Sequence, residues 1–298
     1  MGLDLSRVWV VFNTNAFDKF FGEYRPEIVI HLGARAGVRD SFGKEVAYHK
    51  DNIDATQNLI ECCKMYHVGK VIYASTSSVY GGTPIGPKGW TEDTLSGHQR
   101  NAYAYTKYVN EIQWGISGIN NIGLRFFTVY GPWGRPDMAL FNFTRDIIEG
   151  NEIHAFNYGN MKRDFTYIDD IVESLIRVVK KKPLKNQSFD RKNSDPSTSW
   201  APFKIFNIGN SSPVKLMTFI EEIENALNKK AEKIFEEKGY TWQAVVETFV
   251  EKELTEEDAL VNARLARILQ TSDYDHKNKE PILWTPPSDY EIRTKQDS

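Results

Sequence analysis

KVIYASTSSVYGG, residues 70–82, is the stretch that decides the fold. Its first half is apolar and rich in β-branched and aromatic residues, which suit a pleated, buried strand. Four small hydroxyl residues follow, Ser75, Thr76, Ser77 and Ser78, and Gly81 marks the exit. A strand that ends in hydroxyls has two readings. Ser and Thr cap the backbone of their own turn, or they form a row of hydrogen-bond donors facing a bound reactant.

Outward from this stretch, strand-like and helix-like segments alternate. EIVIHLGA (27–34) reads as a buried strand. NIDATQNLIECCKMY (52–66) carries Ile53, Thr56, Leu59 and Cys63 near helical spacing. YAYTKYVNEIQWGI (103–116) puts Val109, Ile112 and Ile116 on one helical stripe, and NIGLRFFTVYG (121–131) is another strand. That alternation predicts a parallel, doubly wound α/β sheet, whose ligands sit beyond the carboxyl ends of the strands. The hydroxyl cluster and Thr128 both lie at such ends. Residues 180–202 are polar with three prolines and read as a surface loop, and 204–229 read as a strand, a turn and an amphipathic helix. Beyond Glu236, TWQAVVETFVEKEL and TEEDALVNARLARIL read as two helices, the second opened by a Thr255–Asp258 capping box; the last 25 residues read as loose. No internal repeat is visible.

With 298 residues the chain can bury a sizeable core. A formal net charge of -3 gives no electrostatic reason to expect nucleic acid or an anionic membrane. Lys180, Lys181 and Lys182 read as a solvated helix end. Cys62 and Cys63, the two cysteines, are adjacent and too few for a disulfide framework, which points to a reducing compartment. No apolar run approaches the roughly 20 residues of a membrane span, and the N-terminus lacks a signal-peptide pattern. A cytoplasmic protein is expected. The six histidines show no metal spacing, and His31 reads as a core histidine. Trp90 and Trp133 read as packing residues.

Tyr103 and Lys107 stand four residues apart on one predicted helix, on the same face. A phenol titrates near pH about 10 when unperturbed. A neighbouring ammonium favours the phenolate, so the pair can act as a base near neutral pH. By itself a Tyr-x-x-x-Lys pair arises in many helices for structural reasons; here it follows a strand that ends in hydroxyls.

Thr76 in STSSVYG, the pair in YAYTK and the segment RFFTVYGP together resemble the extended short-chain dehydrogenase/reductase superfamily. Within it, HLGARAGVRDS, STSSVYG, RFFTVYGPWGRPDMALF, GNMKRDFTYIDDIVES and FNIGNSSPVKLMTFIEEIENAL are similar to UDP-glucuronate 4-epimerases, from about Tyr24 to Phe235. The resemblance implies NAD as cofactor and a UDP-sugar as substrate. It implies that Tyr103 takes the proton of the sugar 4-hydroxyl while hydride leaves C4 and later returns to the opposite face. Lys107 would lower the Tyr103 pKa and hold the nicotinamide ribose, and Thr76 would share the hydrogen bond to O4. Gly33, Asn52 and Phe126 match positions near the cofactor; Asn52 reads equally well as the N-cap of its helix. Thr128 and Arg135 match positions that contact the sugar carboxylate, although Arg135 in PWGRPD also reads as a turn arginine. Arg163 matches a diphosphate-binding position, and pairing with Asp164 or Asp169 is its other reading.

Related dehydratases and decarboxylases carry acidic residues just before Val-Tyr-Gly. Here Ser77 and Ser78 stand there, so no carboxylate is at hand for elimination. These hydroxyls would instead hold the substrate carboxylate. A 4-keto uronate is a β-keto acid, and the fixed fork of an arginine suits the task of restraining it.

Two segments have no match. The family opens with a strand and a Gly-x-x-Gly-x-x-Gly turn that lets the pyrophosphate approach a helix N-terminus. Residues 1–23 contain only Gly2 and Gly22, with VWVVF as a strand candidate. After Phe235 the family's second phosphate-binding arginine is missing, and Arg264 and Arg267 read as solvated helix charges. EEKGYTWQAVVETFV is faintly similar to the family's closing helix.

The expectation is a Rossmann-like doubly wound sheet, truncated at its N-terminus. Residues 1–130 form the dinucleotide-binding lobe, with 164–182 returning to it. Residues 131–163 and 183–235 form a smaller α/β substrate lobe, and 236–298 a helical tail. A homodimer through the helices at 52–66 and 103–116 is implied by the resemblance. The rival expectations are a related nucleotide-sugar epimerase and a non-catalytic remnant that binds a partner.

Overall fold

A computed structural model describes residues 14–190, 192, 195–236, 274–275 and 280–281. The expected strand at 8–12 and the two helices beyond Glu236, with their capping box, lie outside these residues. Two compact units are present, residues 1–135 with 163–213, and residues 136–162 with 214–298.

Four parallel strands form the sheet of the first unit: β1 (Ile28–His31), β2 (Lys70–Thr76), β3 (Asn121–Phe126) and β7 (Phe203–Ile208), in the order β1-β2-β3-β7. Pleating sends alternate residues of β2 to opposite faces. Val71 and Tyr73 join Phe203 and Ile205 in a core that also holds Phe21 of α1 (Thr14–Tyr24), Leu59, Ile60 and Cys63 of α3 (Ala55–Met65), and Trp114 of α4 (Ala102–Ile116). On the other face Ile72, Ile122 and Leu124 meet Val178 of α6 (Ile168–Val179). Gly123 lies opposite Tyr73 because the phenol ring occupies that space: a Cβ there would lie 2.5 Å from the Tyr73 oxygen. The segment 183–213 belongs to this unit, where β7 completes the sheet beside β3.

Three details depart from the sequence reading. The strand expected at 27–34 is only four residues long. Among the described strands it pairs on one side alone, with β2, and Ile28, Ile30 and Leu32 are exposed rather than buried. The helix expected from Asn52 begins earlier, as α2 (Glu45–Tyr48). It passes through a π turn (His49–Asp54) before α3, so Asn52 is not an N-cap. In α4 the apolar stripe is the outer one: Ile112 and Ile116 are exposed, while Thr106, Lys107, Asn110 and Glu111 face inward with Trp114. Buried polar groups of this kind persist when they are paired, and the pairing of this face shapes the candidate site.

Beyond β3, the short β4 (Thr128–Tyr130) pairs in parallel with β6 (Lys162–Tyr167), Thr128 opposite Phe165. In the second unit, α5 (Ala139–Glu149) and α7 (Leu216–Leu227) close over Ile147, Ile153, Leu216, Ile220 and Ile223, and β5 (Ile153–Phe156) pairs in parallel with β9 (Lys233–Glu236). Cys62 and Cys63 are free and buried; burial raises the Cys63 thiol to about 12. Among the described residues no helix is long and apolar enough to cross a membrane.

Candidate active site

Thr76 is the last residue of β2, and Phe126 faces it from the end of β3. Thr76 has extended backbone and its Oγ1 accepts the Ser78 N–H at 3.2 Å, which starts a 3-10 turn over Ser77–Tyr80. The same hydroxyl lies near enough to the Tyr103 phenol to pull its pKa down. The capping reading of the hydroxyl cluster therefore holds for Thr76. Gly81 ends the turn with φ 53°, where a Cβ would lie 2.1 Å from the His98 carbonyl, so the turn is pressed onto that backbone.

Helix α4 starts where Asn101 Oδ1 accepts the Ala104 N–H at 2.8 Å, an N-cap that fixes Tyr103 in the first turn. Lys107 lies one turn further and is 3 % exposed. Burial lowers its pKa to about 8, against the opposing pull of Glu111. Among the described residues no hydrogen-bond acceptor meets this ammonium. Burial holds the Tyr103 phenol above its ordinary value, and Thr76 and the Arg135 charge offset part of that rise. Thr76 and Arg135 are the groups that oppose the rise caused by burial.

Asn52 connects three segments. Its Oδ1 accepts the Arg35 N–H at 2.7 Å, and its Nδ2 donates to the Arg35 carbonyl at 3.0 Å and to Thr106 Oγ1 at 2.9 Å. The Asn52 carbonyl accepts Asn110 Nδ2 at 2.9 Å. The π turn that carries Asn52 is a deviation often found at functional positions. It ties the loop after β1, which contains Gly33, to α4. His31 at the end of β1 is half-buried, and its imidazole pKa is lowered to about 3, by burial first and then by Lys107.

Residues that sequence reasoning missed complete the arrangement. Tyr48 stands edge-on to Tyr103, with ring centroids 6.4 Å apart. Its hydroxyl lies 2.9 Å from the Ala36 carbonyl, 3.0 Å from that of Gly37 and 3.2 Å from Asp40 Oδ2. Burial and Asp40 raise the Tyr48 phenol to about 12, so it stays protonated. Gly37 has φ 118°, and a Cβ there would stand 3.4 Å from Arg135 Nη2 and 3.5 Å from the Tyr48 oxygen. Arg135 is exposed in its turn yet reaches this cluster. Ser77 and Ser78 are half-buried beside Thr76. Thr128 and Arg163 are placed on β4 and β6; Arg163 is exposed, and Asp164 accepts the Ser211 N–H at 3.0 Å. Trp90 packs on Tyr80 with centroids 5.1 Å apart, whereas Trp133, expected to pack, is fully exposed.

The site fits one end of a dinucleotide. A buried ammonium with three donors and no protein acceptor suits the diol of a nicotinamide ribose. At the pyrophosphate end, no glycine-rich strand-to-helix turn occurs among the described residues, and Gly22 lies inside α1. Among the described residues no cluster of His, Cys, Asp and Glu could hold a metal ion.

Known proteins resemble this chain in sequence and fold. The family model for the NAD dependent epimerase/dehydratase family matches residues 10–190. Protein CapI of Staphylococcus aureus is 47% identical over 225 residues, covering 74% of this chain and 67% of that protein. A probable UDP-glucuronate 4-epimerase of Rhizobium meliloti is 39% identical, covering 72% of this chain and 64% of that protein. The crystal structure of UDP-glucuronic acid 4-epimerase from Bacillus cereus, in complex with UDP-glucuronic acid and NAD, superposes with a TM-score of 0.63 at 32% identity, covering 76% of this chain and 66% of that chain. The chain thus spans about two thirds of the length of these relatives. A match over most of the chain, in sequence and in fold alike, shows kinship: the chain belongs to the NAD-dependent epimerase/dehydratase family.

Proposed function

We propose that this chain carries the C4-epimerising site of a UDP-uronic acid epimerase, interconverting UDP-glucuronate and UDP-galacturonate for polysaccharide synthesis. The observation that carries the reading is the placement of Thr76 at the carboxyl end of the sheet beside Tyr103, with the buried Lys107 one turn further along α4. Bound NAD would supply a reversible acceptor for the hydride of C4. Tyr103, as phenolate, takes the proton of the 4-hydroxyl and returns it to the same oxygen after the 4-keto sugar has turned over, so net redox change is nil. Thr76 shares the hydrogen bond to O4 with Tyr103. Tyr103 and Lys107 would hold the nicotinamide ribose, with Gly33, Asn52 and Phe126 lining the cofactor side.

Ser77, Ser78, Thr128 and Arg135 are proposed to bind the sugar carboxylate, and Arg163 the diphosphate. Holding the carboxylate matters because a C4 ketone makes decarboxylation easy. With hydroxyls at 77 and 78, no general acid/base stands there to drive elimination. We place the protein in the cytoplasm and infer a homodimer. Met65 on α3 and Tyr105, Ile112 and Ile116 on α4 form exposed apolar surface on the two helices involved.

The test is incubation of purified protein with UDP-glucuronate and NAD+, followed by anion-exchange separation of the UDP-uronates. A second UDP-uronate identified as UDP-galacturonate supports the reading. No product, with NAD+ at millimolar concentration, overturns it for this chain.

A further inference from the structure

Behind the candidate site lies a buried ion pair that the proposed chemistry does not use. Glu111 stands one turn beyond Lys107 on α4 and Arg125 sits on β3; their side chains are 5% and 1% exposed. The contact is bidentate: Arg125 Nε donates to Glu111 Oε1 at 2.9 Å and Nη2 to Oε2 at 2.8 Å. Ser75 Oγ donates to Glu111 Oε1 at 2.6 Å, so the carboxylate is tied to the residue that precedes Thr76. Arg125 Nη1 donates to the Tyr80 oxygen at 2.9 Å, and Tyr80 in turn lies 2.7 Å from Asn207 Oδ1. The network therefore grips β2 and its turn on both sides of Thr76–Ser78.

We propose that Glu111, locked by Arg125, is a positioning residue for the Thr76–Tyr103–Lys107 site: it anchors the strand end through Ser75 and places a buried carboxylate one helical turn from the Lys107 ammonium. This rests on the catalytic reading above for its role in turnover, but its effect on Lys107 stands apart from turnover. The ionisable groups around the pair are Tyr103 on the same helix, His31 of β1, Tyr73 of β2, Arg125 of β3 and Tyr80 of the following turn. His31 is held neutral by burial and by Lys107, and Tyr73 and Tyr80 are kept protonated by burial. Glu111 is then the anion of the set. Lys107, Arg125 and Glu111 together carry one net positive charge, which a Tyr103 phenolate would balance. A buried pair is weak evidence for stability as such, and here it joins the ammonium to the strand end that carries Thr76.

Glu111→Gln leaves two buried cations with no counter-charge, whereas Arg125→Gln leaves Lys107 with an undivided carboxylate. The experiment measures thermal midpoint from pH 6 to 10 for the parent chain and both variants, without added ligand. It also measures the pH profile of turnover. The folded-state pKa of Lys107 lies below its unfolded value, so the parent gains stability as pH rises through that window. The account expects this rise to start about one pH unit lower in E111Q and about one unit higher in R125Q. The alkaline limb of turnover should move the same two ways. Should E111Q fail to fold at any pH, R125Q and the double variant E111Q/R125Q decide; the double variant restores the net charge and should regain the parent window. Offsets that are the same at every pH, in all variants that fold, would reduce the pair to scaffolding and overturn the proposal. If the parent shows no turnover, the catalytic reading fails while the thermal series still decides the role of Glu111.

Discussion

Thr76 at the end of β2 lies beside Tyr103 in the first turn of α4, near enough for its hydroxyl to act on the phenol. Its influence opposes the rise that burial causes in the phenol pKa. Thr76→Val removes it, so the acid limb of the turnover profile should move to higher pH. Turnover near neutrality should fall roughly 10- to 100-fold, in the range of a lost charge-assisted contact at a reacting group. A pH-rate profile checks this; an unmoved limb would separate Thr76 from the ionisation of Tyr103.

Tyr103→Phe keeps the ring and its edge-on contact with Tyr48 but removes the base. Turnover should fall by roughly 100-fold or more, since general-base catalysis contributes on that scale. The thermal midpoint should change little, which separates loss of chemistry from loss of fold.

Arg135 lowers the Tyr103 pKa by its charge and stands beside Gly37 and Tyr48. Arg135→Met should therefore raise KM for UDP-glucuronate and also shift the acid limb upward. An arginine that only bound the carboxylate would change KM without moving the limb.

Lys107 bears on stability as well as chemistry. Its pKa falls from 10.5 in the exposed form to about 8 in the fold. Between those values the unfolded chain binds more protons, so stability rises with pH, and below about pH 8 the full cost of the buried charge is present. At about 1.4 kcal/mol per pKa unit, that cost is about 3 kcal/mol. Lys107→Met should thus stabilise the ligand-free protein at pH 7, remove the rise in alkali and abolish turnover. Denaturant titration at pH 7 and pH 10 reads the difference.

In the second unit Glu224 has a side chain only 1% exposed, yet it accepts from Lys230 at 3.1 Å, from the Ala231 N–H at 2.9 Å and from Lys233. Burial raises its pKa and these partners lower it further than burial raises it, to about 2. Its contribution to stability is present above the ordinary carboxylate pKa and is lost as pH falls toward 2. Glu224→Gln should destabilise this unit at pH 7 and show less further loss on acidification. Hydrogen exchange of α7 at pH 7 and pH 3 measures both.

The parallel sheet was legible because β2 and β3 are buried strands whose apolar runs are bounded by Gly and by helical spacing. Tyr103 and Lys107 were legible because one helical turn separates them. Glu111 continues the same spacing, and Arg125 interrupts an apolar strand, so both carried a signal that goes unread unless a charge inside a strand is asked for its partner. Tyr48 carried none: its place beside Tyr103 follows from the π turn, and nothing in EVAYHKDN announces a changed helical register. Val109, Ile112 and Ile116 share a stripe of α4, but their spacing does not say what the stripe meets, and Ile112 and Ile116 are exposed. Amphipathic spacing identifies an apolar face but not its neighbour, and in α4 the polar face packs inward, where Glu111, Asn110 and Thr106 find partners.

The most direct measurement uses UDP-glucuronate deuterated at C4, incubated with this protein and NAD+ in ordinary water, with the UDP-galacturonate formed analysed by NMR. The account predicts that deuterium stays on C4 while the configuration there inverts, and that Y103F forms none of this product. Product formed with its C4 label exchanged for solvent hydrogen, or formed equally by Y103F, would contradict it.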